Sequence, residues 1–227
     1  MRVLTEYTHH TNGKLSHPIR LAVVSDLHNE PYEDIFPMIE GADALLVPGD
    51  VSDRYHQEYE RGAAFLADAA KRLPTFFSPG NHETRQQRYH PMLRRFERTG
   101  ATLLINHFVR FGEIWIGGWY RPDVVHRPDM LNRFERQEGA KVLLCHKPEA
   151  YIKYMRDRDI DLVVAGHAHG GQIRFLNHGV YSPGQGLFPK YTRGVVDNRL
   201  IISAGAGNPA RMPRWGNPPE ILMITLD

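Results

Sequence analysis

The chain has 227 residues, with 28 Lys and Arg against 26 Asp and Glu, 13 His and a single Cys. The formal net charge of +2 indicates no polybasic surface, so the composition neither implies nor excludes a nucleic-acid partner. A single Cys excludes an intramolecular disulfide and a zinc site made of thiolates, so any metal site would need His and carboxylate ligands.

Length and apolar content predict a packed globular protein. The hydrophobic fraction is 41%, and we expect one domain over residues 1–227, with residues 1–18 as an N-terminal extension or an edge strand. The longest apolar runs are strand-sized, far short of the roughly 20 residues that cross a bilayer, and no apolar leader precedes them. We therefore expect no membrane segment and a cytoplasmic location.

Short apolar and β-branched runs recur along the chain and predict buried parallel strands. These runs are Ile19–Ser25, Ala44–Pro48, Thr75–Ser78, Ala101–Asn106, Lys141–Cys145 and Leu162–Ala165. Helical periodicity between them predicts helices over Tyr55–Leu73, Thr84–Arg98 and Pro148–Arg158. This alternation is typical of βαβ units.

Two pairs of runs are too closely spaced to enclose a helix and predict antiparallel hairpins. They are Phe108–Phe111 with Glu113–Gly118, and Gly194–Asp197 with Arg199–Ala204, the second turning at Asp197 and Asn198. A last strand is expected over Ile221–Leu226, and the Gly/Pro-rich segments 181–193 and 207–219 are expected to be loops. Parallel strands followed by hairpins predict two mixed β-sheets packed face to face and flanked by helices, a four-layer α/β/β/α sandwich.

Polar and ionisable side chains follow five of the predicted strands. In chain order these segments are Asp26-Leu27-His28, Gly49-Asp50-Val51-Ser52-Asp53, Gly80-Asn81-His82-Glu83, Cys145-His146 and Gly166-His167-Ala168-His169. Because ligands bind at the carboxyl ends of the strands in an open α/β sheet, we expect these side chains to meet at one edge.

The donors in these segments suit a transition-metal site. They are the oxygen donors Asp26, Asp50 and Asn81 and the nitrogen donors His28, His146, His167 and His169. Such a mixed set favours manganese, iron or zinc over calcium or magnesium. Seven ligands are too many for one ion with an open position and match two ions that share a bridging carboxylate. With one hydroxide, this arrangement carries a small positive charge that attracts a phosphate group.

Two further residues of these segments have predicted roles in catalysis. His82 is surplus to the ligand count and is predicted to act as the general acid for the departing alkoxide. Asp53 is predicted to orient His82 or a ligand, and the alternative is a solvated turn carboxylate.

At these residues the chain resembles the calcineurin-like metallophosphoesterase family. The family blocks Asp-x-His, Gly-Asp-x-x-Asp, Gly-Asn-His-Asp/Glu, His and Gly-His-x-His occur here in order. The resemblance implies the same four-layer sandwich, a catalytic His82 and a binuclear site bridged by Asp50. In that site Asp26, His28, Asp50 and His169 hold one ion, and Asp50, Asn81, His146 and His167 hold the other.

The segments after His169 look like one bacterial branch of that family, through the stretches GHxHGGQ and YSPGQGLFPKYTRG. This likeness places Lys190 and Arg211 near the cleft, where they are expected to bind a substrate phosphate, although solvated surface charge is the more frequent role of such residues. Branch members often carry an export signal or membrane anchor before the first block, and the 25 residues before Asp26 lead us to expect neither in this protein.

The expected function is hydrolysis of a phosphomonoester or phosphodiester by a metal-bridging hydroxide, with His82 as general acid and two divalent transition-metal ions as cofactors. One alternative is a nuclease that uses the same site, favoured by an isoelectric point of about 8.7. Another is a non-catalytic binding module built on the same fold. The expected partner is a phosphate ester, without an obligate nucleic acid. The sequence leaves the substrate, the native metal and the oligomeric state open.

Overall fold

Two six-stranded mixed sheets organise the computed structural model, which describes residues 1–56, 58–120, 129–175, 178–182, 185–208 and 213–227. The strands are β1 (Val3–His9), β2 (Ile19–Val23), β3 (Ala44–Val47), β4 (Thr75–Phe77), β5 (Thr102–Leu103), β6 (His107–Phe111), β7 (Ile114–Gly118), β8 (Ala140–Leu144), β9 (Leu162–Ala165), β10 (Arg174–Phe175), β11 (His178–Gly179), β12 (Tyr181–Ser182), β13 (Gly186–Leu187), β14 (Gly194–Val196), β15 (Leu200–Ile202) and β16 (Glu220–Leu226). The helices are α1 (Ile35–Met38), α2 (Glu60–Ala70), α3 (Asn81–Thr84), α4 (Tyr89–Glu97), α5 (Asp129–Glu135) and α6 (Pro148–Tyr154), and His169–Gly171 forms one 3₁₀ turn.

The first sheet has the strand order β1-β16-β2-β3-β4-β5. Strands β2 to β5 pair in parallel, so their carboxyl ends lie at the same edge. The last strand, β16, pairs antiparallel with β2, and β1 adds in parallel at the outer edge with Val3 opposite Glu220. Residues from both ends of the chain therefore close this sheet.

The second sheet has the order β14-β15-β9-β8-β7-β6 and shows the same parallel centre. Its four central strands are parallel, and β14 and β6 pair antiparallel at its edges. The hairpin of β14 and β15 turns at Asp197 and Asn198, whose φ angles of +53° and +54° are typical of a type I′ turn. Both predicted hairpins are confirmed.

Alternate residues of each central strand face different layers, which builds three apolar cores. Leu46 of β3 and Leu144 of β8 are fully buried between the sheets. Leu45 instead packs with Phe65 of α2 and Phe96 of α4 on the outer face of the first sheet. The outer face of the second sheet is covered by α5 and α6. The predicted four-layer sandwich of two mixed sheets flanked by helices is confirmed.

The helix predicted over Tyr55–Leu73 is shorter and begins at Glu60. The preceding segment is not helical because Asp53 and Glu58 form an isolated antiparallel bridge there. The helix predicted over Pro148–Arg158 begins as expected and ends at Tyr154.

The helix predicted over Thr84–Arg98 is interrupted between α3 and α4. Helix α4 begins at Tyr89, which places Pro91 in the first turn, where the missing N–H costs no intrahelical bond. The strand predicted over Ala101–Asn106 is limited to the two residues of β5. The expected loop over residues 181–193 contains the short antiparallel pair β12 and β13.

Within the described residues, none of the helices has both the length and the apolar character to cross a membrane.

Candidate metal centre

Strand ends from both sheets bring the predicted ligands to one place. Asp26 and His28 follow β2, Asp50 follows β3 and Asn81 begins α3 just after β4. From the second sheet, His146 follows β8, and His167 and His169 follow β9. The site therefore lies where the carboxyl edges of the two sheets face each other, as expected for an α/β fold.

The chain turns sharply at these strand ends, and several donors adopt a left-handed backbone conformation. The residues are Asp26 (φ +55°), His28 (+52°), Asp50 (+56°), His167 (+68°) and His169 (+46°). Such conformations are uncommon outside glycine and cost on the order of 1 kcal/mol or more each. The surrounding structure compensates in part, since the N–H of Asp26 donates to Gly49 O at 3.0 Å and that of His28 to Asp50 O at 3.0 Å.

The first donor cluster consists of Asp26, His28 and His169, all of them buried. Oδ1 of Asp26 lies 3.9 Å from Nε2 of His28 and 3.5 Å from Nε2 of His169. The two Nε2 atoms are 3.3 Å apart. One carboxylate oxygen and two imidazole nitrogens therefore point at one small volume.

The second cluster is built around Asp50. Its Oδ2 lies 3.0 Å from Nε2 of His146, and that nitrogen lies 3.1 Å from Oδ1 of Asn81. A donor atom of His167 lies within 4.8 Å of those of Asp50 and His146. A donor atom of Asp50 also lies within 4.8 Å of donor atoms of His28 and His82, and His28 belongs to the first cluster. The carboxylate of Asp50 therefore lies between the two clusters.

The imidazoles of His28, His167 and His169 are in the form that binds metals. Burial is the main cause that holds the pKa of His28 and His167 well below the usual range. Burial, followed by the charge of Arg214, lowers the pKa of His169 to about 3. These rings are neutral at pH 7, as metal ligation requires.

His146 behaves differently because it stands beside two carboxylates. Burial disfavours its protonation, but the charge and hydrogen bond of Asp50 and the charge of Asp26 outweigh burial and raise its pKa to about 9. Its Nδ1 donates to Pro48 O at 2.8 Å, which fixes the ring with Nε2 toward Asp50 and Asn81. A backbone carbonyl is a usual outer partner of a ligating histidine.

The donor set fits divalent transition metals. Imidazole nitrogens and carboxylate oxygens converge without enough hydrogen donors to satisfy one another. Nδ1 of His28 is buried without a hydrogen-bond partner in the described structure. Burial, which outweighs the charge of His146, raises the pKa of Asp26 to about 6, with a smaller contribution from Asp50. A cation at this place would offset the cost of burying both carboxylates.

His82 and Asp53 lie beside the clusters and contact each other. Nδ1 of His82 is 3.4 Å from Oδ1 of Asp53 and accepts the N–H of Arg54 at 3.3 Å. The N–H of His82 donates to Oδ1 of Asp50 at 2.7 Å. Asp53 is 5% exposed and its Oδ2 also bonds Nδ1 of His56, so this carboxylate is not solvated.

Of the two predicted phosphate-binding residues, the structure describes Lys190 alone. Lys190 is exposed, and its ammonium group lies over the ring of Tyr191, 5.4 Å from the centroid. No contact joins it to either cluster in the described part of the chain. Arg211 lies outside the described residues. The binding of a substrate phosphate by these two residues stays a prediction.

Glu83 has a structural role that is absent from the sequence predictions. Its buried carboxylate accepts the N–H groups of Asp50, Ser52 and Gly80 and the hydroxyl of Ser52, at 2.7–2.9 Å. Burial and the charge of Asp50 raise its pKa to about 7. The available signal was its spacing from Gly80, since Glu three residues after an N-cap can accept the N-cap N–H, which is one half of a capping box.

Arg214 also reaches the site from a distant loop. Its Nη2 donates to Gly207 O at 2.6 Å and to Nδ1 of His169 at 3.0 Å. Burial lowers its pKa to about 10, against the charges of Asp26, Glu30 and Glu220. Because Arg214 and His169 are 45 residues apart in the sequence, no local pattern predicts this contact.

Comparisons with known proteins agree with this geometry. The model of the calcineurin-like phosphoesterase family matches residues 19–171, a range that contains both donor clusters. The uncharacterized protein YpbG of Bacillus subtilis is 28% identical over 226 residues, covering 92% of this chain and 81% of that protein. An uncharacterized metallophosphoesterase of Campylobacter jejuni is 28% identical over 214 residues, covering 83% of this chain and 51% of its own length. The phosphodiesterase YaeI of Escherichia coli is 25% identical over 183 residues, covering 69% and 63%.

The substitution Glu83→Gln tests how the Asp50 loop is held. The substitution replaces one carboxylate oxygen by an NH₂ group, which would face N–H donors in a buried position. We therefore expect the free energy of unfolding to fall by about 2–4 kcal/mol. Urea titration measures the change. The matched control is Glu97→Gln, on the exposed face of α4, with an expected change within about 0.5 kcal/mol. Equal effects of the two substitutions would contradict this role of Glu83.

Proposed function

Because the chain belongs to the calcineurin-like phosphoesterase family, we propose that it hydrolyses a phosphate monoester or diester with two divalent transition-metal ions. The observation that carries the proposal is the arrangement of two buried donor clusters on either side of the Asp50 carboxylate. The likeness to a phosphodiesterase of Escherichia coli supports a diester as one of the substrate classes.

In this proposal Asp50 contributes to both ions. Asp26, His28 and His169 complete one ligand set, and Asn81, His146 and His167 complete the other. Manganese, iron and zinc all accept such a shell of nitrogen and oxygen donors. When bound, two such ions supply Lewis-acid chemistry, which lowers the pKa of water and withdraws negative charge from the phosphoryl oxygens.

His82 is proposed to give a proton to the oxygen of the leaving group. Its Nδ1 faces Asp53 at 3.4 Å, which leaves Nε2 for the substrate. Burial is the main cause that lowers the pKa of His82, and the charges of Asp50 and Asp53 act against it, toward the protonated ring that a general acid needs. Asp53 also bonds His56 and accepts the N–H of Tyr55 at 3.0 Å, so it is held in position by its own loop. We therefore propose Asp53 as a positioning residue for His82.

The proposed activity predicts hydrolysis of activated aryl phosphates. The purified protein, stripped with a chelator and reloaded with manganese, iron or zinc, is expected to cleave 4-nitrophenyl phosphate, bis(4-nitrophenyl) phosphate or both. Release of 4-nitrophenol measures the rate, and the activity should disappear again when the chelator is added. A folded protein that carries metal and leaves both compounds intact would contradict the proposal.

Two substitutions separate the binding of metal from proton transfer. Asp50→Asn weakens the ligand shared by both ions, and we expect loss of bound metal together with activity. His82→Gln keeps the ligand set, so metal content should stay near the wild-type value while turnover falls by about 10²–10⁴-fold. Elemental analysis and the nitrophenol assay measure the two quantities.

The control for this pair is His90→Gln, an exposed histidine of α4, which should change neither quantity. If His82→Gln removes metal to the same extent as Asp50→Asn, His82 is a ligand rather than an acid and the division of roles is wrong.

A further inference from the structure

A pocket opens directly beside the second donor cluster. Its cavity volume is about 120 Å³, and Asn81 and His146 lie in its wall. This volume is below the roughly 300–1,000 Å³ of sites for drug-sized molecules and suits a group no larger than a single small ring. A molecule whose phosphate group lay at the donor clusters could therefore place its remaining atoms in this pocket.

One wall of the pocket is aromatic and fixed. Trp119 and Tyr120 follow β7 directly, and the N–H of Trp119 donates to Leu144 O at 2.9 Å, which extends the pairing with β8. The ring of Trp119 packs against Tyr154 of α6 at 5.3 Å. The hydroxyl of Tyr120 donates to that of Tyr89 at 2.7 Å. Both rings are held before any ligand binds, which lowers the entropy cost of stacking against them.

Two cationic side chains also line the pocket. Arg85 lies one residue after α3, Lys147 lies just before α6, and both line the pocket. Within the described residues neither side chain has a hydrogen-bond or ion-pair partner. None of the eleven lining residues is Asp or Glu. Two unpaired cations without a nearby lining carboxylate form a place for a negative charge.

We propose that this pocket binds the organic part of the substrate, and that this part is a flat ring that carries a second negative charge. The inference rests on the proposed function, because the phosphate group to be cleaved is placed at the donor clusters. It goes beyond that function by naming the substrate class, a phosphate ester of an anionic aromatic group. Trp119 and Tyr120 contact the ring, and Arg85 and Lys147 bind its charge.

Non-hydrolysable phosphonates test the pocket without depending on the reactivity of a leaving group. Methylphosphonate, cyclohexylphosphonate, phenylphosphonate and 4-carboxyphenylphosphonate are titrated into the metal-loaded protein, and calorimetry gives each dissociation constant. We expect phenylphosphonate to bind about tenfold more tightly than methylphosphonate and more tightly than cyclohexylphosphonate. The carboxylate should add about another tenfold.

Neutral substitutions identify the cations that contribute. Arg85→Gln and Lys147→Gln are each expected to weaken 4-carboxyphenylphosphonate by about fivefold to tenfold and to leave methylphosphonate unchanged. Lys147→Arg, which keeps the charge, should retain most of the affinity. The matched control is Lys153→Gln, an exposed cation on the same helix, α6, which should change neither constant.

Two failures can be told apart. The inference is overturned if the protein hydrolyses the aryl phosphates but its dissociation constants for all four phosphonates agree within twofold. It is also overturned if Arg85→Gln and Lys147→Gln weaken the binding of methylphosphonate as much as that of 4-carboxyphenylphosphonate. In either case the pocket does not select an anionic ring. If the protein hydrolyses neither aryl phosphate, the proposed function fails, and the substrate class that rests on it falls with it.

Discussion

The Asp50 carboxylate is the contact on which the rest of the site depends, because groups from both sheets bond to this one residue. Its Oδ2 meets His146 from the second sheet at 3.0 Å, and its Oδ1 accepts the N–H of His82 at 2.7 Å. Its backbone N–H donates to Glu83 at 2.8 Å, and its carbonyl accepts the N–H of His28 at 3.0 Å. These bonds hold a residue whose φ of +56° is unfavourable for an aspartate. The network compensates the strain and fixes the direction of the carboxylate.

Electrostatics explains why this arrangement needs cations. Asp26 and Asp50 are both buried, and Nε2 of His146, whose pKa the two carboxylates raise to about 9 against the effect of burial, lies 3.0 Å from Asp50. Buried carboxylates of this kind are costly unless they are paired or bind metals. The neutral state of His28, His167 and His169 supplies lone pairs rather than charge. Divalent ions would provide positive charge beside the two carboxylates and would bind those lone pairs. The types of donor atom and the charge of the site therefore both support the proposal of bound metal ions.

The sequence predicts the layers and the meeting of the donors well, because both follow from strand position. Apolar runs define the strands, and residues just after parallel strands must share an edge. The glycines show a limit of local reasoning. Gly80 and Gly166 belong to the predicted donor segments, and a Cβ at either would collide with the carboxylate of Asp50 or Asp26. Close packing against a residue 30 or 140 positions away has no local signature.

Other features escaped prediction for related reasons. The bridge of Asp53 and Glu58 replaced the first turn of a helix, because tertiary pairing outweighed periodicity. The contact of Arg214 with His169 depends on how a distant loop folds back. The contact of Lys190 with the ring of Tyr191 leaves its predicted role in binding phosphate a prediction. The positions of the metal donors follow from strand ends, whereas the position of a cation in a long loop depends on how that loop folds.

Anomalous diffraction from crystals of the protein loaded with manganese tests the central claim most directly, since it locates ions independently of activity. The account predicts two peaks, one on each side of the Asp50 carboxylate, with Asp26, His28 and His169 around one and Asn81, His146 and His167 around the other. A single peak, or two peaks that Asp50 does not join, would contradict it.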